Sequence, residues 1–310
     1  MPHVLLLAAL PDFLLAPLQA THVCHDYFNA PDQTAFITKF GGDIRGIVMA
    51  GHSAAPVALL EQLPALEIIS VFGVGYDGVP LDYCRRRGIR VTNTPDVLTD
   101  DVADIAVALV LMTSRRLIEA NRYLHAGDWQ KAQFPLAHAL KRKVAGILGL
   151  GRIGKAIAQR LLAHGMEIAY FGRTPQDVPY RYHATLADLA AESHFLIVAC
   201  PGGPATRHLV NSEILRALGP TGALINIARG SVVDEEALIA ALQDGAIRTA
   251  GLDVFANEPL VPPELAALPQ VVLLPHVGSG TQETRRGMAD LSMANLAAHF
   301  AGQPLLTPVC

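Results

Sequence analysis

A chain of 310 residues is long enough for two domains. Hydrophobic residues make up 51% and charged residues 17%, a balance that builds sizeable cores and excludes a disordered chain. A net charge of -4 offers no basic footprint for nucleic acid.

The first apolar run, from His3 to Leu10, has no Lys or Arg ahead of it and stops at Pro11-Asp12. It reads as a buried first strand, not a signal peptide. No apolar stretch approaches the ~18 residues of a membrane span. Cys24, Cys84, Cys200 and Cys310 are scattered without C-x-x-C spacing. They are expected to be free thiols in a reducing, cytoplasmic setting, with no disulfide frame and no metal site. Arg85-Arg86-Arg87 reads as the solvated end of a helix.

The N-terminal third alternates strands over residues 4–8, 44–50, 67–72 and 89–92 with helices over 56–63 and 80–87. This rhythm implies a parallel sheet covered on both faces. It stops near Asn93-Thr94-Pro95, where the residue before proline avoids the helical region. A long helix is expected over 99–125, with Asp100 and Asp101 favourable in its first turn. Residues 105–112 are apolar without a break, so this helix is buried on more than one face, either in a subunit interface or between domains. A second βαβ series follows, with strands over 144–148, 167–171, 195–199, 223–227, 248–253 and 271–274 and a last helix over 281–300. Residues 133–143 show no assignable pattern.

Gly149-Leu150-Gly151-Arg152-Ile153-Gly154 follows a strand and opens a helix. In that context Gly149 permits the tight turn, Gly151 lets the backbone approach a pyrophosphate, and Gly154 packs helix on strand. The helix N-terminus offers N–H groups to phosphates. An acid near the end of the next strand would hold the ribose of NAD, but Gly172-Arg173-Thr174 stands there. Arg173 favours a 2′-phosphate, hence NADP, with NAD possible as a second cofactor.

Arg229, Glu258 and His276 fall in short segments after later strands, where an open parallel sheet binds ligands. Reduction of a keto acid needs that trio. Arginine grips a carboxylate with two prongs, and histidine donates the proton to the developing alkoxide. A carboxylate against the other imidazole nitrogen favours the protonated form and fixes the ring.

The chain resembles the D-isomer-specific 2-hydroxyacid dehydrogenase family over nearly its full length. The resemblance rests on Val74-Gly75-Tyr76-Asp77, Asn93-Thr94-Pro95, Asp101-Val102-Ala103-Asp104, the glycine loop, Ala228-Arg229-Gly230, Gly251-Leu252-Asp253-Val254-Phe255, Asn257-Glu258-Pro259 and Pro275-His276. It implies two doubly wound parallel-sheet α/β domains: a Rossmann dinucleotide-binding domain over 99–284, inserted in a discontinuous flavodoxin-like substrate domain over 1–98 and 285–310. It also implies that the amides of Val74 and Gly75 hold the substrate carboxylate with Arg229. His276 is then the acid/base, and Glu258 tunes it. Pro201, Thr206, Ala228, Asp253 and Gly278 line the cofactor, and the protein is a homodimer through the nucleotide domain.

Gly172-Arg173-Thr174 and Cys200-Pro201-Gly202-Gly203-Pro204 narrow the resemblance to NADP-preferring glyoxylate/hydroxypyruvate and hydroxyphenylpyruvate reductases. The expected activity is therefore NADPH-linked reduction of a small 2-keto acid, with no nucleic-acid or membrane partner. The alternatives are another family reaction, such as 3-phosphoglycerate oxidation, or a corepressor-like dinucleotide sensor that would not need the intact trio.

Overall fold

A computed structural model describes all 310 residues. In chain order the first elements are β1 (His3–Leu6), α1 (Asp12–Thr21), β2 (Val23–Asp26), α2 (Gln33–Phe40), β3 (Ile44–Ala50), α3 (Val57–Leu60), β4 (Ile68–Phe72), α4 (Leu81–Arg87) and β5 (Arg90–Thr92). Then come α5 (Thr99–Arg115), α6 (Leu117–His125), β6 (Val144–Leu148), α7 (Arg152–Ala163), β7 (Glu167–Phe171), β8 (Arg181–His183), α8 (Leu186–Glu192) and β9 (Phe195–Val198). The rest are α9 (Ser212–Leu218), β10 (Ala223–Asn226), α10 (Glu235–Gln243), β11 (Thr249–Leu252), α11 (Pro263–Ala266), β12 (Val272–Leu273) and α12 (Gln282–Phe300). The chain divides into two compact units, Met1–Leu98 with Thr281–Cys310, and Thr99–Gly280.

The first unit is built on a five-stranded sheet in the order β2-β1-β3-β4-β5, every pair parallel. Strand β4 is buried at every position, as a strand covered on both faces must be. Strands β3 and β4 end level, with Ala50 opposite Phe72. The turns that follow then lie so close that a Cβ on Gly73 would come 2.9 Å from Gly51 Cα. Helix α12 packs on β4 and α1, and Ser70 Oγ meets Ser292 Oγ at 2.7 Å. After α12 the chain returns beside β5. Val309 N donates to Val91 O at 2.7 Å, Val91 N donates to Cys310 O at 3.2 Å, and Thr92 pairs antiparallel with Pro308.

The second unit carries a seven-stranded parallel sheet in the order β12-β11-β10-β9-β6-β7-β8. Its winding reverses between β6 and β9, and ligands of open α/β sheets bind at such a reversal. Apolar side chains from β6, β9, β10 and β11 form the core with Leu189, Leu215, Leu238 and Leu242 from helices α8, α9 and α10. Thr185, Asn211 and Asp234 cap those three helices through their side chains, each cap contributing about 1 kcal/mol.

The long helix expected over 99–125 is two helices. Arg116 adopts a left-handed φ of 53° and separates α5 from α6. No glycine or proline marks the break. Arg116 is held there by an ion pair with Glu119, and its guanidinium lies 5.0 Å from the Phe134 ring centre. The unbroken apolar face of α5 is covered within its own unit, by α7 on one side and by β10 and β11 on the other. Asp100 and Asp104 of α5 both pair with Arg160 of α7, at 2.9 and 2.5 Å. The patternless residues 133–143 form an arm outside helix and strand, with a turn at 141–142, and residue 138 is pinned to the end of α5. His138 N donates to Ser114 O at 3.0 Å, and Ser114 Oγ donates to His138 O at 2.9 Å. No helix is long and apolar enough to cross a membrane.

Candidate active site

The glycine loop occupies the reversal point of the second sheet. Gly149 has a φ of 98°, and a Cβ there would stand 2.7 Å from Cys200 Cα. Both the left-handed conformation and the close approach of the β6 and β9 loops therefore require glycine. A Cβ on Gly154 would sit 2.3 Å from Gly149 O, so the helix packs directly on the loop. Around Gly151 there is open space instead, and as N-cap of α7 it offers no side chain to the helix amides. Arg152 and Ile153 form the first turn of that helix. This is an uncapped N-terminus beside an open backbone, which suits a pyrophosphate.

The loop after β7 is fastened to the glycine loop. Gln176 Nε2 donates to Leu150 O at 2.9 Å, and Gln176 N donates to Tyr170 Oη at 2.7 Å. Gly172 again faces open space, where a substituted carboxylate would have projected. Arg173 and Thr174 are both exposed on this loop. Thr206 Oγ1 donates to Pro201 O at 2.8 Å, which closes the turn after β9. Burial pushes the Cys200 thiol up to about 11, so it is a packing group beneath the loop.

Two members of the expected trio meet directly. His276 Nδ1 lies 2.6 Å from Glu258 Oε2, and Glu258 Oε1 accepts from Phe255 N at 3.0 Å. His276 has a left-handed φ of 53°, and the loop behind it is clamped by Asp253. That carboxylate accepts from Val277 N at 2.7 Å and from Gly278 N at 2.8 Å. Only 1% exposed, Asp253 directs both oxygens to this loop, and burial raises its carboxyl above the usual range despite the two amides.

Arg229 follows β10. Its Nη1 donates to Ala228 O at 2.8 Å, while Asn226 Nδ2 holds Arg229 O at 2.9 Å. Gly230 carries this segment against the 255–258 loop, since a Cβ there would overlap Phe255 C at 1.9 Å. Neither clamp, Asp253 on the histidine loop nor Asn226 on the arginine loop, was legible as such in the sequence. Both stand at strand ends, a position that signals ligand contact as readily as support. In the first unit, Val74 and Gly75 lie half-buried on the loop after β4. Their amides donate no hydrogen bond within that unit.

The family model described as D-isomer specific 2-hydroxyacid dehydrogenase, NAD binding domain, matches residues 107–278. The chain is 48% identical to a glyoxylate/hydroxypyruvate reductase A of Arabidopsis thaliana over 307 residues, 99% of this chain and 98% of that protein. It is 47% identical to a hydroxyphenylpyruvate reductase of Plectranthus scutellarioides over the same shares. The crystal structure of an NADPH-dependent glyoxylate/hydroxypyruvate reductase from Sinorhizobium meliloti, in complex with NADP and malonate, superposes with a TM-score of 0.94 at 46% identity, covering 100% of this chain and 97% of that one. A Rossmann sheet with an intact glycine loop, an arginine and a paired histidine and glutamate accords with each of these likenesses. The chain belongs to the D-isomer-specific 2-hydroxyacid dehydrogenase family, and it is an oxidoreductase with an NAD-type nucleotide domain.

Proposed function

We propose that this protein is an NADPH-preferring reductase of small 2-keto acids of the glyoxylate and hydroxypyruvate class, giving the D-2-hydroxy acid. The observation that carries the reading is the 2.6 Å contact between His276 Nδ1 and Glu258 Oε2. When bound, a reduced nicotinamide supplies hydride to the keto carbon. Arg229 grips the substrate carboxylate through paired N–H groups. The amides of Val74 and Gly75 are also assigned to a substrate carboxylate, as the resemblance implies. Glu258 accepts from Nδ1 of His276, so the proton handed to the keto oxygen leaves from Nε2. In the nucleotide domain, Gly149, Gly151 and Gly154 shape the phosphate loop, and Pro201, Thr206, Ala228 and Gly278 line the cofactor.

The choice of NADPH rests on Arg173 and Thr174, exposed beside a glycine that leaves room for a 2′-phosphate. Steady-state reduction of glyoxylate with both cofactors tests it. NADPH is expected to be favoured by about ten-fold or more in kcat/KM, equivalent to about 1.4 kcal/mol or more. Gly172→Asp with Arg173→Ala is expected to erase the preference. Equal efficiency of the wild type with NADH would overturn this reading of Arg173, and loss of no NADPH absorbance with any small 2-keto acid would overturn the reaction.

The reading extends to a homodimer through the second unit. Leu117, Ile118, Leu124 and Trp129 are exposed, and a hollow of about 220 Å³ is lined by Ala120, Tyr123, Leu124, Trp129 and Phe134. Leu136 projects from the adjacent arm with 97% of its surface bare. A bare leucine two residues from the hollow's Phe134 wall suits an exchange between identical copies.

A further inference from the structure

A relay of hydrogen bonds runs from α12 to the loop after β4, entirely within the first unit. Asn295 of α12 is fully buried. Its Oδ1 accepts from Leu306 N at 3.0 Å and Thr307 N at 3.1 Å, and its Nδ2 donates to Leu291 O at 2.9 Å and to Thr307 Oγ1 at 2.8 Å. Thr307 Oγ1 in turn donates to Asn93 O at 2.6 Å. Asn93, 8% exposed, donates from Nδ2 to Val74 O at 2.9 Å. The next residue, Thr94, donates from its amide to Gly73 O at 2.9 Å.

Two successive carbonyls, those of Gly73 and Val74, are thus drawn toward residues 93 and 94. In a trans peptide the C=O and the following N–H point in opposite directions. Holding Gly73 O therefore turns Val74 N–H away from the Asn93-Thr94 segment, and holding Val74 O does the same to Gly75 N–H. Those are the two amides assigned above to the substrate carboxylate.

We propose that Asn93, Thr307 and Asn295 are positioning residues for the substrate carboxylate: through this relay the segment after α12 fixes the direction of the Val74 and Gly75 amides. The proposal rests on the reading that those amides bind the carboxylate. The relay suits the task because its central hydroxyl both accepts and donates, so it links Asn295 to Asn93. Replacing Thr307 by valine keeps the shape, deprives Asn93 O of its donor and removes an acceptor from Asn295 Nδ2. Loss of a buried bond of this kind loosens its neighbours at a cost of about 1–3 kcal/mol.

The test is steady-state kinetics with glyoxylate and NADPH on the full chain. Thr307→Val is expected to raise KM for the keto acid about ten-fold, with kcat within about two-fold of wild type, because carboxylate binding is shared by ground and transition states. NADPH affinity is expected to stay unchanged, and Thr307→Ser is expected to restore KM. Asn93→Ala is expected to raise KM as well, and adding Thr307→Val to it should change little, since the two act in series. A Thr307→Val enzyme with lowered melting temperature and unaltered KM would overturn the proposal, as would additive effects of the two substitutions. Gly75→Pro, which deletes one amide donor, separates the levels. A raised KM for Gly75→Pro beside an unaltered one for Thr307→Val sinks the relay alone, whereas an unaltered KM for Gly75→Pro sinks the carboxylate reading with it.

Discussion

In the proposed reaction Arg229 and His276 act through side chains whose backbones are fixed by other residues. For Arg229 the prongs matter: a lysine ammonium is a point charge and cannot reproduce two parallel N–H groups. Arg229→Lys is expected to lose about ten-fold or more in kcat/KM for the keto acid, while NADPH binding measured by fluorescence titration changes little. For His276 the backbone matters. A left-handed non-glycine residue costs on the order of 1 kcal/mol, and Asp253 holds it by taking both following amides. In Asp253→Asn, one of those amides would face an NH2 group, so kcat is expected to fall about ten-fold or more. The same variant carries a pH signature. The Asp253 carboxyl is raised above its ordinary range by burial, so the folded state binds its proton more tightly than the unfolded state. That stabilising share is complete below the ordinary carboxylate range and is lost as pH rises through the raised value. Melting temperatures at pH 4.5 and 7.5 are therefore expected to shift in favour of Asp253→Asn as pH rises. A gap between variant and wild type that ignores pH would refute it.

Among the elements, legibility followed burial. Strands β3, β4 and β6 stood out because a strand covered on both faces is a near-continuous apolar run. Residues 11–43 went unassigned for the opposite reason. Helix α1 contains Pro17, and β2, at the sheet edge, reads Val23-Cys24-His25-Asp26 with little apolar signal. Strand β8, Arg181-Tyr182-His183, is another polar edge that periodicity does not reveal. The glycine loop was legible because its residues answer to backbone geometry rather than to a partner far along the chain. Asn93, Thr307 and Asn295 answer to one another across more than 200 residues, and no local pattern announces such a relay. The loop geometry makes a direct forecast. Gly149→Ala would place a methyl within 2.7 Å of Cys200 Cα at a φ of 98°. The expected outcome is loss of measurable NADPH binding by calorimetry, with Cys200 gaining reactivity toward iodoacetamide at pH 7.5 as the two loops part. Wild-type affinity in that variant would show that the loop tolerates a side chain.

At the scale of the whole molecule, the apolar run of the long helix was read as buried on more than one face, and the structure assigns that burial to α7 and the sheet of the same unit. The bare apolar surface lies one helix further on, around α6 and Leu136. Light scattering coupled to gel filtration is expected to give twice the chain mass of 33.0 kDa, and Leu136→Glu with Trp129→Ser is expected to give the single mass. A wild-type protein that runs at the chain mass would overturn the dimer.

The return of the last residues beside β5 has a consequence apart from catalysis. A parallel sheet ends in strands with unpaired N–H and C=O groups, and such strands recruit other chains into aggregates. The seven-stranded sheet is bounded by strands of only three and two residues. In the five-stranded sheet, the outer side of β5 is closed by the backbone of Val309 and Cys310. Removing residues 308–310 would strip that cover from Val91 and its neighbours. The expected result is a protein that still folds yet becomes turbid on warming at concentrations where the intact chain stays clear.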